Sequence, residues 1–303
     1  MQSIFKIFRP VDILFIFFIS FLSVFGLFTI KDINEISVVL LINIVFIIFI
    51  ILFSGLSVKS RVAKIIYDWY GVPSIYLIFK EVHIIIQSTG IRDWDWLFIK
   101  VDRFIFGTDP TIWMSQWINP VLTEIMQIAY GSYFFIMLAL GLELYLKKEM
   151  DRYNFALFTV VFGFVLSYIG YIIFPAVGPR FTLHDFYSID SELKGLWLTI
   201  PIRDFLNAGE SIPKGALNAY EIAQRDVFPS GHTQMTLITI VLAFRYNVKC
   251  RYVITFFGIL LIISTVYLRY HYVVDILGGI LFALITLPLA SVIIKWWERK
   301  KIL

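Results

Sequence analysis

Long apolar runs, broken by short polar segments that carry lysine and arginine, dominate the chain. Runs near the roughly 20 residues needed to cross a bilayer occupy about residues 11–30, 36–54, 119–145, 153–174, 232–247, 252–270 and 274–295. An eighth run, 66–88, is interrupted by Lys80, Glu81 and His83, which are costly at the bilayer centre unless paired or facing a cavity. Charge parity decides in its favour. With eight crossings, the clusters Lys6/Arg9, Lys59/Arg61/Lys64, Lys147/Lys148/Arg152, Arg245/Lys249/Arg251 and Lys295/Arg299/Lys300/Lys301 all fall on one side; with seven, the second and third separate. The excess of positive charge makes that side the cytoplasm, with both termini inside. The pattern predicts an all-α polytopic membrane bundle of about eight transmembrane helices, with outer segments at about 89–118 and 175–230.

Composition agrees with that reading. Of 303 residues 59% are hydrophobic and 16% charged, too little polar surface for a domain solvated by water. The net charge of +4 is gathered between apolar runs and not spread over a polar face, which argues against a nucleic-acid partner. The one cysteine, Cys250, leaves no intrachain disulfide or cysteine-based metal site and reads as an inert thiol. The first run is long and aromatic and lacks a small-residue cleavage pattern, so it reads as a retained anchor. The segment 89–118 mixes Trp94, Trp96, Phe98, Phe104 and Trp113 with Arg92, Asp93, Asp95 and Arg103, as expected of a headgroup-layer helix with solvated charges.

Two of the four histidines stand where apolar runs meet the outer face. In Phe228-Pro229-Ser230-Gly231-His232-Thr233, Pro and Gly shape a turn, Ser230 can cap the following helix, and the free N–H groups of that helix start suit a phosphate. In Tyr267-Leu268-Arg269-Tyr270-His271-Tyr272-Val273-Val274-Asp275, His271 and Asp275 are one helical turn apart, so the carboxylate can hold Nδ1–H and leave Nε2 as a nucleophile. Arg269 adds a guanidinium fork able to bind phosphoryl oxygens. A third segment, Phe174-Pro175-Ala176-Val177-Gly178-Pro179-Arg180, ends the fifth run and presents Arg180 as a second phosphate clamp. The topology derived from charge brings Arg180, His232, Arg269 and His271 to one membrane face.

These residues resemble the PAP2 superfamily of type 2 phosphatidic acid phosphatases, vanadium haloperoxidases and lipid phosphotransferases. The second family motif, Pro-Ser-Gly-His, is complete at Pro229 to His232, and the third matches at Ser264, His271 and Asp275, with Thr265 in place of the family arginine. The first is represented by Pro179-Arg180, with Ile173 where the family has lysine. Lys214 and Arg225 could substitute for that lysine or be solvated loop charges. The stretch Asp102 to Pro110 resembles the branch that includes inositol phosphorylceramide synthases. The resemblance implies a six-helix core within residues 66–303, to which the two helices of residues 1–65 are additions.

What the resemblance implies is phosphoryl transfer at the extracytoplasmic face. His271 would be the nucleophile, Asp275 its support, His232 acid and then base, and Arg180, Ser230, Gly231 and Arg269 would hold phosphate. No metal or cofactor is implied, and the acids near the histidines, Asp226 and Asp275, are too few for a two-metal clamp. Partners are the bilayer and a lipid phosphate. Water as acceptor gives a phosphatase, and a lipid or sugar hydroxyl gives a phosphotransferase, an outcome that a lid formed by the outer segments would favour. Lys80, Glu81 and His83 could touch the headgroup, or, in a protein of a different class, line a transport or scrambling path. His83 is expected to pair with Lys80 or Glu81, and His184 to be a plain loop residue.

Overall fold

The computed structural model describes residues 4–302, which are helical with no strand among them. The first hairpin is α1 (Pro10–Thr29) and α2 (Ile33–Leu56). Next come α3 (Arg61–Trp69) and α4 (Gly71–Thr89), then α5 (Asp95–Phe106), α6 (Pro120–Gly131) and α7 (Tyr133–Leu146). After α8 (Met150–Ile173), the outer loop carries α9 (Thr199–Gly209), and the chain ends with α10 (Gly231–Arg245), α11 (Arg251–Tyr267) and α12 (Val273–Ile302).

By length and composition four helices, α1, α2, α8 and α12, can each cross a membrane, and the bent pair α6 and α7 counts as a fifth span if taken as one. This is a polytopic helical membrane protein. Two expected spans differ in form. The run 119–145 is two helices meeting at 45° around Ser132, and the run 66–88 breaks at Tyr70. Lipid-facing helices expose Leu and Phe side chains that water would not tolerate, among them Phe28, Leu41 and Leu284.

α10 lies among α7, α8, α11 and α12. Its contact with α12 requires a glycine, since a Cβ on Gly279 would stand 2.6 Å from the Ser230 carbonyl oxygen. α1 packs on α4 and α8, and Asn43 of α2 donates to Ser23 Oγ at 2.9 Å and Glu81 Oε1 at 2.7 Å.

The basic clusters converge away from the histidine motifs. Arg9 Nη1 lies 3.6 Å and Lys64 Nζ 3.2 Å from Asp68, which also accepts from Tyr145 Oη at 3.1 Å. Nearby in sequence, Glu143 binds Lys147 Nζ and the Lys249 N–H, both at 2.6 Å. Buried Asp12 completes this network through Tyr70 Oη at 2.7 Å and through Tyr67.

α5 departs most from expectation. Asp95, Phe98 and Asp102, at spacing i, i+3, i+7, form one buried helical face, while Arg103 and Phe104 on the other side are exposed. The Asp95 carboxylate is therefore not solvated. It accepts the N–H groups of Val177 at 3.1 Å and Gly178 at 2.8 Å and the Tyr272 hydroxyl at 2.8 Å. Asp102 accepts the N–H groups of Val273 and Val274, each at 2.8 Å, and thus caps α12 from outside.

Candidate active site

Three chain segments meet above α10 and are joined through their backbones. Ser230 N–H donates to the Asp275 carbonyl at 3.0 Å, and Arg180 N–H donates to the Arg269 carbonyl at 2.9 Å. Gly178 makes the second junction possible: its φ of 92° lies in the region that glycine favours, and a Cβ there would be 2.6 Å from the Tyr270 carbonyl oxygen.

Ser230 caps α10, its hydroxyl accepting from Thr233 N–H at 3.2 Å, which places Gly231 and His232 in the first turn. The turn after α11 folds back on Thr265, whose carbonyl accepts from Tyr270 N–H at 2.9 Å and His271 N–H at 3.0 Å, with Arg269 left-handed at φ 69°. Thr265 itself is fully buried and spends its hydroxyl on the Ile262 carbonyl at 2.7 Å. Its side chain gives the phosphate site nothing in place of the missing arginine.

The two histidines come into contact. His271 Nε2 lies 3.3 Å from His232 Nδ1, while His271 Nδ1 lies 3.4 Å from Asp275 Oδ2. That oxygen accepts the Tyr272 N–H at 2.8 Å, which orients the carboxylate, while His271 Nδ1 is close to it without a hydrogen bond. Burial, then the neighbouring His232, holds the His271 imidazole well below the usual histidine range, which favours its neutral form. His232 is flanked by the rings of Tyr130 and Tyr133, with centroids 4.5 and 4.3 Å away. Tyr133 Oη donates to the Gly231 carbonyl at 3.1 Å, and Tyr130 stacks on Tyr270 at 4.3 Å.

Arg180 is almost fully buried, packed against the Tyr270 ring at 4.8 Å, with Nη1 donating to Asn207 Oδ1 at 3.2 Å and Nη2 ion-paired with Glu210. Glu124 of α6 anchors the start of α9 by accepting from Leu196 and Leu198 N–H at 2.8 and 2.6 Å and from Thr199 Oγ1 at 2.7 Å. A cavity of about 310 Å³ opens beside Arg180, bounded by Asn207, Tyr270, Tyr187 and Lys214. Burial, then the charge of Glu210, pushes the Asp226 carboxyl up to about 7.

His232, His271, Asp275, Ser230, Gly231 and Arg180 are thus brought together, but other candidates are not. Arg269 adds its carbonyl to the junction, while its guanidinium ion-pairs with Glu192 and reaches Ser115 Oγ at 3.4 Å. Lys80 donates to the Gly209 carbonyl at 2.6 Å and Ser211 Oγ at 2.8 Å, and Glu81 turns to Asn43. The expected pairing of His83 with either does not form. Lys80 shares a helical face with His83 at i, i+3, but its ammonium is spent on Gly209 and Ser211, and Glu81, two residues from His83, points to another face. Lys214 is an exposed partner of Asp204 at 2.8 Å, and Arg225 binds Asp93 at 3.4 Å and the Ala223 carbonyl at 2.5 Å. His184 is more than a plain loop residue. Its Nε2 lies 3.0 Å from Thr111 Oγ1, and burial, then Arg269, lowers its pKa to about 4.

Sequence reasoning missed Tyr130, Tyr133, Glu210 and the anchors Asp95 and Asp102. Of these only the acids left a signal, their i, i+7 spacing around Phe98 on a helix.

Fold and site together define a polytopic helical membrane protein with a paired-histidine, phosphatase-type site. The chain belongs to the PAP2 superfamily, whose sequence profile matches residues 97–289. A PA-phosphatase related-family protein of Dictyostelium discoideum is 25% identical over 206 residues, covering 61% of this chain and 35% of that protein. The chain therefore spans about a third of the length of that curated relative. No solved structure matches it.

Proposed function

We propose that the protein hydrolyses lipid phosphates, of phosphatidic acid or polyprenyl phosphate type, through a phosphohistidine on His271. The observation that carries this reading is the chain of contacts from Asp275 to His271 Nδ1 and from His271 Nε2 to His232. The His271 Nε2–P bond forms as the bond from phosphorus to the lipid oxygen breaks, and His232 gives that oxygen its proton. Water then attacks phosphorus, His232 takes the water proton, and the N–P bond breaks. Arg180 and the N–H groups at the start of α10 hold the charge on the phosphoryl oxygens. At 3.3 Å the rings leave no room for a phosphoryl group, so substrate must part them.

The description of the Dictyostelium relative favours hydrolysis. Transfer to a lipid or sugar hydroxyl is the second reading, favoured by the burial of His271 and Asp275 beneath the outer loop. A transport path through Lys80, Glu81 and His83 has lost its support, because Lys80 and Glu81 face different neighbours.

The mechanism needs no metal. Phosphate release by purified protein is expected to persist in EDTA and to be blocked by vanadate, which adopts a trigonal-bipyramidal geometry on a nucleophilic nitrogen. Loss on chelation with recovery on adding a divalent cation would overturn it.

We propose that the site lies on the extracytoplasmic face with both termini cytoplasmic, a reading supported by the lysine and arginine clusters between the apolar runs. Single cysteines near Lys147 are then expected to react with an impermeant maleimide only from the cytoplasmic side, and those near Lys194 only from outside. Labelling of both from one side would break this topology.

A further inference from the structure

The guanidinium assigned to phosphate is already occupied. Both terminal nitrogens of Arg180, the fork that would grip phosphoryl oxygens, are bound to residues at the end of α9: Nη1 to Asn207 and Nη2 to Glu210. The turn that carries Glu210 is fixed from outside. Lys80 Nζ donates to the Gly209 carbonyl at 2.6 Å and to Ser211 Oγ at 2.8 Å, and Gln224 Nε2 approaches the same two atoms at 3.4 and 3.3 Å. Ser211 sits at φ 69°, so the chain reverses sharply just past the glutamate. A lysine at the carboxyl end of a helix also meets its negative dipole.

We propose that Glu210 is a resident counter-ion that competes with phosphate for Arg180 and must be displaced when substrate binds. This rests on the reading of Arg180 as the phosphate clamp. A carboxylate driven off Arg180 while half-buried would be destabilised if nothing received it. Lys80 answers that requirement, since its ammonium group is within electrostatic reach of Glu210 and already bound on both sides of it in the chain. Displacement is then an exchange of partners for Glu210. Together with the touching imidazoles, the Arg180–Glu210 pair closes the site on itself. The competition weakens ground-state and product binding, and so assists release of phosphate. Lys80, on this account, is a positioning residue for Glu210.

The test is the binding of inorganic phosphate to the detergent-purified full chain, followed by ³¹P NMR without turnover. Wild-type protein is expected to bind phosphate through a site lost in Arg180→Gln. Both Glu210→Gln, which keeps shape and hydrogen bonding, and Glu210→Ala are expected to tighten that binding about tenfold, as befits removal of a charge-assisted competitor. Arg180-dependent binding that is unchanged or weaker in both Glu210 variants would overturn the proposal and leave the clamp intact. Weakening in particular would make Glu210 a mere support for Arg180. Absence of any Arg180-dependent binding in the wild type would remove the clamp, and the proposal with it.

Discussion

His271→Ala is expected to form no phosphoenzyme and to lose turnover by ~10⁴-fold or more, the scale seen when a covalent nucleophile is removed from a group that acts as a unit. His232→Ala is expected to fail differently. It removes the acid of the first step and the base of the second, so a lipid phosphate with a poor leaving group reacts slowly at both. An aryl phosphate departs with little protonation, so phosphorylation of His271 is partly restored while dephosphorylation still lacks its base. The phosphoenzyme accumulates, is acid-labile and base-stable as phosphoramidates are, and is absent from the double variant. Asp275→Asn is expected to keep the fold and slow phosphorylation, because an amide cannot stabilise the charge that develops on an imidazole held 3.4 Å away. Mass spectrometry of the trapped species decides the matter. Phosphate on His232 reverses the roles, and phosphate on neither residue removes covalent catalysis.

Asp102→Ala is expected to cost about 2–5 kcal/mol of stability, although the residue touches none of the reacting atoms. Its carboxylate holds the N–H groups of Val273 and Val274, the first two residues of α12, and alanine leaves both without that acceptor. His271 precedes these residues and Asp275 follows them, so the fraction that still folds is expected to lose activity by ~10²-fold through misplacement of about 1 Å. The adjacent Arg103→Ala removes an exposed guanidinium paired with Asp109 and is expected to leave melting and activity much closer to wild type. Melting in detergent and phosphate release per folded molecule measure the two effects. If Asp102→Ala matches wild type in both, this acid is not the anchor of the α12 start.

The sequence by itself determined the class, the apolar helices and the local shape of the first histidine segment. A bilayer forces backbone groups to pair within a segment, so each apolar run of spanning length could be read as a helix without knowing its neighbours. The Pro229 to His232 turn is likewise local, because a cap is set by a few successive residues, whereas His271 stands before α12 and meets Asp275 through the turn that folds back on Thr265. Only the tertiary structure decided the rest. Whether Asp95 and Asp102 were solvated or buried depended on what α5 lies against, and residues 177, 178, 273 and 274 are far from it in sequence. Arg180 and Arg269 read alike as phosphate clamps. Their difference lies in the partners that distant segments bring, Glu210 and Asn207 for one, Glu192 and Ser115 for the other. Lys80 and Glu81 are neighbours in the chain yet serve the outer loop and the N-terminal hairpin, respectively. Periodicity fixes the direction in which a side chain points along its own helix, but which charge it meets there is a property of packing.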